Sequence, residues 1–437
     1  MIVYAGVTNT SFTRASEDML ALASVVVPAK QIERVTKGIG LERCAERDDA
    51  VASYQALSLV ERKVAPAGVT PPVVAVVGTD GGRIQILDRA AATAAKVALA
   101  EASSAAIAPV VAAPLDVKPV ADHASPPPSE AAVERGGRHW REDKIGLLMG
   151  MTSTVAASDP CPQIPEGFLD PTRMNTLVRE LRKGVPVAEE PADAAQDADA
   201  EAAAYASPSA IWKPPEMEEK QLLGSRQSWE AFGPMVAAAA WAMGLFGSSR
   251  RAFIGDGAEN NWTVWRKYFS SFVPILDFIH ALSYVHAAAH AGCTRAAGWL
   301  HYRQWIAWVW EGRVDRVLEA LRARQAELGE LKAEDKETHP RKVVAQTLTY
   351  LANNQIRMCY DEYRRQGLPV TSSYVESAVK QFNQRAKGTE KFWGEEGAEA
   401  ILQLRGDYLS ENKPLTAFWE RRQTQASGQR PYRRKAA

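Results

Sequence analysis

The stretch Val73-Val-Ala-Val-Val-Gly-Thr-Asp-Gly-Gly-Arg-Ile-Gln-Ile-Leu87 carries two patterns in succession. Residues 73–77 are an unbroken apolar run, as in a strand buried on both faces, and residues 83–87 alternate polar with apolar, as in a strand with one wet face. Between them lies Gly78-Thr-Asp-Gly-Gly82. Asp-Gly is favoured in tight hairpin turns, so the spacing predicts a β-hairpin with Asp80 at its corner. The same aspartate directly follows an apolar strand, from whose end a carboxylate can be delivered to a site. Taken by itself, the segment favours the turn.

Further along, residues 141–148 are expected to return as a third antiparallel strand, preceded by His139 and Trp140, with the histidine read as a structural hydrogen-bonder. Residues 228–245 have helix-forming composition. Arg251-Ala-Phe-Ile254 is a short strand running into Gly255-Asp-Gly257, so Asp256 is placed at a strand end. Residues 259–269 then suit a helix and 273–278 another strand. Three antiparallel strands, helix, strand, helix, strand is the order of an α/β, ribonuclease H-like fold. In that arrangement acids of the first and fourth strands lie side by side and a later helix brings a third. The candidate is Glu376, in Ser372-Ser-Tyr-Val-Glu-Ser-Ala378 on a predicted helix. Three carboxylates are the donors that hard Mg2+ or Mn2+ prefers, and two such ions can activate a nucleophile and stabilise a departing oxygen at a phosphodiester.

The chain has 437 residues and is 46% hydrophobic, enough for two or three structural units once polar linkers are set aside. Its formal net charge is zero, which removes the simplest sign of a nucleic-acid binder. Charge is nevertheless segregated: residues 189–219 are strongly acidic, whereas 421–437 hold Arg421, Arg422, Arg430, Arg433, Arg434 and Lys435 without an acid. That tail suits either a phosphate backbone or plain solubility. Cys44, Cys161, Cys293 and Cys359 are too scattered for a metal or disulfide framework, and apolar runs are too short to span a bilayer. A cytoplasmic protein with reduced thiols and no membrane contact is expected.

Residues 90–128, rich in Ala, Val and Pro, and 186–209, mixing Ala with acids, read as insertions or linkers. They divide the chain into a helical segment at 1–63, first strands at 73–151, a second catalytic part at 228–284, a helical insertion at 285–371, a catalytic helix region at 372–420 and the basic tail. In the first segment, helices over 16–22 and 29–38 would suit a helix-turn-helix that places Lys30, Arg34 and Lys37 at DNA; the pattern alone favours an ordinary helical hairpin. Trp299, Trp305, Trp308 and Trp310 mark the helical insertion, as core residues or as platforms for unpaired bases.

Gly78-Thr-Asp-Gly-Gly-Arg83, Gly255-Asp-Gly-Ala-Glu-Asn-Asn-Trp262, Ile275-Leu-Asp-Phe-Ile-His-Ala281 and Ser372-Ser-Tyr-Val-Glu-Ser-Ala-Val-Lys-Gln-Phe-Asn-Gln-Arg385 together resemble the DDE transposases of bacterial insertion sequences, particularly the ISKra type. The resemblance runs from about residue 11 to 419 outside the two linkers. It implies that Asp80, Asp256 and Glu376 are the catalytic and metal-binding triad, that Asp277 and His280 form a D-x-x-H element near the site, and that Arg385 and Trp393 match positions beyond the glutamate. Lys380, Arg385 and Lys387 are spaced to offer one helix side to phosphates. Ser372-Ser-Tyr374 departs from the family's Ser-Gly, and the long linkers raise a degraded or domesticated copy.

The activity so implied is strand cleavage at insertion-sequence ends and strand transfer to target DNA, using two Mg2+ or Mn2+ ions. The expected partners are double-stranded DNA with terminal inverted repeats, target DNA and a second copy of the chain as a homodimer, with nucleoid association when bound. The competing classes are a ribonuclease H-like nuclease or resolvase and a non-catalytic DNA-binding derivative.

Overall fold

In a computed structural model that describes residues 1–88, 90–94, 96, 138–182, 213–388 and 391–424, the opening stretch forms one continuous strand, β1 (Val74–Leu87). The expected hairpin is corrected. β1 pairs antiparallel along its whole length with β2 (Arg138–Thr152), from Val74 opposite Met151 to Leu87 opposite Arg138. Gly81 and Gly82 therefore serve close approach between strands and form no turn. A Cβ on Gly82 would lie 2.7 Å from the Asp143 carboxylate and one on Gly81 3.0 Å from that of Glu142. Asp80 is thereby a mid-strand residue opposite Ile145.

The third antiparallel strand is β3 (Glu216–Ser225), paired with β2; the span 141–148, expected to be the third, belongs to the second. β4 (Arg250–Gly255) and β5 (Val273–Leu276) add on in parallel, and the sheet order is β3-β2-β1-β4-β5. Val74, Ala75, Val76 and Val77 are fully buried, as the central strand requires. The outer edge of β3 is covered: Leu222 N donates to Ser410 Oγ at 2.9 Å, and Glu411 N to Lys220 O at 2.9 Å.

The helices, in chain order, are α1 (Ile2–Thr8), α2 (Phe12–Ala23), α3 (Ala29–Ala56), α4 (Pro171–Leu181), α5 (Trp229–Ala242), α6 (Glu259–Tyr268), α7 (Phe278–His290), α8 (Arg295–Trp310), α9 (Val314–Leu328), α10 (Pro340–Asn354), α11 (Tyr360–Arg365), α12 (Ser373–Ala386), α13 (Glu395–Leu409) and α14 (Pro414–Thr424). The result is a mixed five-stranded sheet flanked by helices, broadly consistent with a ribonuclease H-like fold. Most of 90–128, all of 186–209 and residues 425–437 lie outside the described residues. No helix among those described is long and apolar enough to cross a membrane.

Glycines set which helix covers which face. Gly146 leaves room for Phe232 and Val236 of α5 on one side, while Gly78 and Gly224 admit Val375 and Phe382 of α12 on the other. α3 is 28 residues long, well beyond the expected end at 38, and packs along α13. Buried Arg43 meets Asp407 at 2.8 Å, Arg47 meets Glu399 at 2.8 Å, and Gly40 lies against Ala400. At the other end of the chain, Arg421 and Arg422 are paired with Glu46 and Glu42 at 2.7 and 2.8 Å. Trp305 and Trp310 are buried and belong to the core; Trp299 and Trp308 pack against it half-buried.

A Cβ at Gly78 would lie 2.5 Å from Val375 Cγ2, so that side chain or the helix carrying it must shift to admit it. Gly78→Ala is expected to destabilise the fold by about 1–3 kcal/mol. Adding Val375→Ala should recover part of that loss, as read from chemical denaturation of both variants.

Candidate metal centre

The parallel register of β1 and β4 decides where the first two acids meet. Gly78 is opposite Ile254, so Asp80, two residues on, is level with Asp256, the residue after β4 ends. Gly78 and Asp80 also share a face, because side chains two apart on a strand point the same way. That face is the one where Val375 fills the space above Gly78, and Glu376 is its neighbour in the first turn of α12.

Asp256 opens a tight turn into α6. Gly257 has φ +97°, a conformation that side chains with a Cβ rarely adopt, and a Cβ there would meet the Tyr350 ring at 2.6 Å. Oδ1 of Asp256 accepts hydrogen bonds from Ala258 N at 2.9 Å and Asn261 Nδ2 at 2.7 Å. Buried Asn261 accepts in turn from the Thr79 hydroxyl at 2.8 Å, and the Tyr350 hydroxyl donates to the Asp256 carbonyl at 2.6 Å. Thr79, Asn261 and Tyr350 thus position Asp256, roles the sequence reading missed. The only signal for Asn261 was its place in Gly255-Asp-Gly-Ala-Glu-Asn-Asn261.

Asp277 is fully buried at the N-cap of α7. Its Oδ2 accepts from His280 N at 3.2 Å and lies 2.5 Å from His280 Nδ1, while its Oδ1 accepts from Ser372 N at 2.8 Å. One carboxylate therefore ties the end of β5 to the start of α12. It also orients the imidazole, leaving Nε2 as the ring nitrogen directed away from it. The contact to residue 372 runs through its backbone, and Ser373 has no positive φ.

The five groups form one electrostatic unit. Burial raises the Asp80 carboxyl to about 6, reinforced by Asp256 and Asp277 and opposed by the Gly81 N–H at 2.7 Å and by His280. Burial likewise raises Glu376 to about 7, with Asp277 and Asp80 adding to it and His280 and Lys380 opposing. For His280 burial acts downward, but the Asp277 hydrogen bond and the charges of Asp277, Asp256 and Glu376 raise it to about 9. Buried carboxylates held above their usual range by their neighbours suit a cation, whose charge would relieve both causes.

Asp277, His280 and Glu376 each offer a ligand atom within 4.8 Å of the others, a set able to hold a single metal ion. Both Asp277 oxygens already accept protein hydrogen bonds, so Glu376 and His280 are the freer donors of the three. Asp80 and Asp256 fall outside that set and are coupled to it electrostatically; their carboxylates are oxygen donors of the kind Mg2+ and Mn2+ take.

The expected DNA contacts divide. Lys30, Arg34, Lys380 and Lys387 are exposed; Lys37 pairs with Glu33 and Lys380 with Glu180 at 3.3 Å, while Lys387 lies 5.7 Å from the Trp140 ring. Arg385 and Trp393 do not share that surface, and their expected place there is corrected. Arg385 is buried, donates from Nε to Gly6 O at 2.9 Å and lies over Phe12 and Trp393, with burial pushing its guanidinium down to about 10 and Arg405 adding to the shift. Trp393 is buried with its Nε1 donating to Ala386 O at 2.8 Å. Compared with models of known protein families and with curated protein sequences, the chain matches none.

Asp80 and Glu376, raised in the folded protein from ordinary values of 3.8 and 4.5, cost stability increasingly as pH rises to about 6 and about 7. His280 contributes stability below its ordinary 6.5 that is lost as pH rises through about 9. All three act in one direction. Metal-free protein should therefore lose thermal stability between about pH 5 and 9 through this cluster. Mn2+ should raise the melting temperature near pH 8 and have little effect near pH 5, a contrast that Glu376→Gln should weaken.

Proposed function

We propose that this chain is a DDE transposase that cuts DNA at the ends of an insertion sequence and joins them to target DNA. What supports the reading is one acid cluster in which the strand register sets Asp80 level with Asp256 and Asp80 is electrostatically coupled to both Asp256 and Glu376. The four motif segments that resemble such enzymes all contribute to this one cluster.

Asp80 lies between Asp256 and Glu376 in the electrostatic network and is the carboxylate both would share. Asp256, Asp80 and Glu376 would hold two divalent cations, which supply Lewis-acid activation of an attacking oxygen and charge relief at the departing one. The chain's own contribution is placement. The Thr79-Asn261 pair fixes one Asp256 oxygen, Asp277 fixes the His280 ring, and the ring's Nε2 is left to hold a proton beside the carboxylates. Exposed Lys30 and Arg34 on α3 and Lys387 at the end of α12 would take the DNA backbone, and a homodimer would bring two element ends together.

The test is a cleavage and strand-transfer assay with the full chain and DNA carrying the flanks of its gene. Asp256→Asn should reduce Mg2+- or Mn2+-dependent cleavage by at least about a thousandfold while leaving DNA affinity within about threefold, because charge leaves the cluster with little change of shape. Cleavage without joining would make the chain a nuclease of the same fold. Undiminished cleavage by Asp256→Asn would remove the acid cluster from the chemistry altogether.

A further inference from the structure

Beside the acid cluster runs a groove of about 780 Å3, lined by Asp256, His280, Arg182, Tyr284 and Tyr350. Arg182 follows α4 at its C-cap, and its guanidinium lies 4.1 Å from the Tyr284 ring centre. Tyr284 stacks on Tyr350 at 3.8 Å and 8°. The guanidinium thus forms the outer layer of a three-layer stack with Tyr284 in the middle. The far layer is fastened to the site, since the Tyr350 hydroxyl is bonded to the Asp256 carbonyl at 2.6 Å.

Among the described residues no carboxylate forms an ion pair with Arg182, and its Nη1 is buried with no hydrogen-bond acceptor. Burial also lowers its pKa from the ordinary value, with only the two tyrosines opposing. Leaving a charged donor buried and unpaired is costly unless something that binds there supplies the acceptor. The groove's acids are engaged elsewhere: Glu180 is paired with Lys380 at 3.3 Å, Glu337 with Lys342 and Gln346, each at 2.6 Å, and Asp256 accepts from Ala258 N and Asn261 Nδ2. A flat guanidinium held by stacking presents the fork that matches a phosphate.

We propose that this groove holds the DNA strand leaving the active site, with Arg182 as ligand to a backbone phosphate adjoining the one that reacts. The assignment rests on the nucleic-acid reading above, but it concerns a different residue and a different readout. Arg182 lies in none of the motif segments, and its role is to position the strand.

The experiment measures binding of the full chain to a short labelled DNA duplex of the element end, with neutral methylphosphonates substituted one at a time along each strand. Wild-type protein should lose roughly tenfold in affinity at one or two neighbouring positions. Arg182→Gln should bind the unmodified duplex weaker by a similar factor, be insensitive at those positions, and have a salt dependence of log Kd shallower by about one. Its Mn2+-induced rise in melting temperature should stay unchanged. Arg182→Lys, which keeps the charge without the fork, should fall between, and it carries the comparison if Arg182→Gln fails to fold. Equal affinity and equal methylphosphonate sensitivity of the variant and wild type would overturn the phosphate site while leaving the acid cluster's role intact. Preserved sensitivity with no metal-dependent cleavage by wild type would leave the phosphate site standing and overturn the proposed catalysis. Failure of the wild-type chain to bind the duplex would overturn both.

Discussion

The parallel pairing of β1 with β4 is the constraint on which the site depends. It puts Asp80 level with Asp256, the residue that follows the neighbouring strand. Because side chains alternate along a strand, a slip of one residue would turn an acid to the other face of the sheet and out of the cluster. The buried apolar faces of Val74 to Val77 and of Ala252 to Ile254 resist such a slip, since it would expose or clash the whole set. The third acid depends on the same strands through an absence: with no side chain at Gly78 and Gly224, α12 settles at two points directly onto β1 and β3. A helix held at two places along its length has little freedom to carry Glu376 elsewhere.

Electrostatics then works against the packing that created it. Burial and mutual repulsion hold Asp80 and Glu376 above their usual range, opposed by the Gly81 N–H at Asp80, by Lys380 at Glu376 and, at both, by His280, itself held in place by Asp277. Asp277 differs in kind from the other acids, with both oxygens committed to ordering the segments that converge on the site. Sites that gather like charges cost stability, which the surrounding core must offset. Here the offset is large and close: Phe278, next to Asp277, packs between Phe168, Trp310 and Tyr360. That aromatic cluster anchors the start of α7, and with it the orientation of His280.

What the sequence made legible follows from how strongly each segment's pattern is set by its own neighbours. β4, α6 and β5 are short, apolar or amphipathic, and bounded by glycine or polar residues, so their limits were readable within a residue or two. β1 was broken wrongly because Asp-Gly-Gly is a turn signal, and here the glycines answer a demand from Glu142 and Asp143 on another strand. β3 escaped notice because its first half, Glu216-Met-Glu-Glu-Lys220, is an edge whose polar residues face outward, indistinguishable in sequence from the acidic stretch before it. Arg385 was assigned by helical spacing alone. Spacing shows which residues share a side of a helix and says nothing of what covers that side, which in this fold is α1 and Phe12. Arg182 had no motif or spacing to mark it; only the tertiary stack with Tyr284 and Tyr350 makes it unusual.

The covering of Arg385 has a mechanical consequence. The last carbonyls of α1 are taken by two arginines, Gly6 O by Arg385 of α12 and Val7 O by Arg405 of α13, an arrangement that also places positive charge at the negative end of a helix dipole. α12 carries Glu376 nine residues before Arg385, so the N-terminal segment is fastened by backbone contacts to the helix that completes the acid cluster. Arg43, Arg47 and the Gly40 contact extend the attachment along α13. α3, which carries exposed Lys30 and Arg34, is thus packed directly against the helices that flank the acid cluster. The distance between those two cations and the cluster is set by side-chain packing, which is stiff. A shift of α3 along α13 would have to break the buried Arg43–Asp407 pair, and leaving either charge unpaired makes a continuous adjustment of that distance unfavourable.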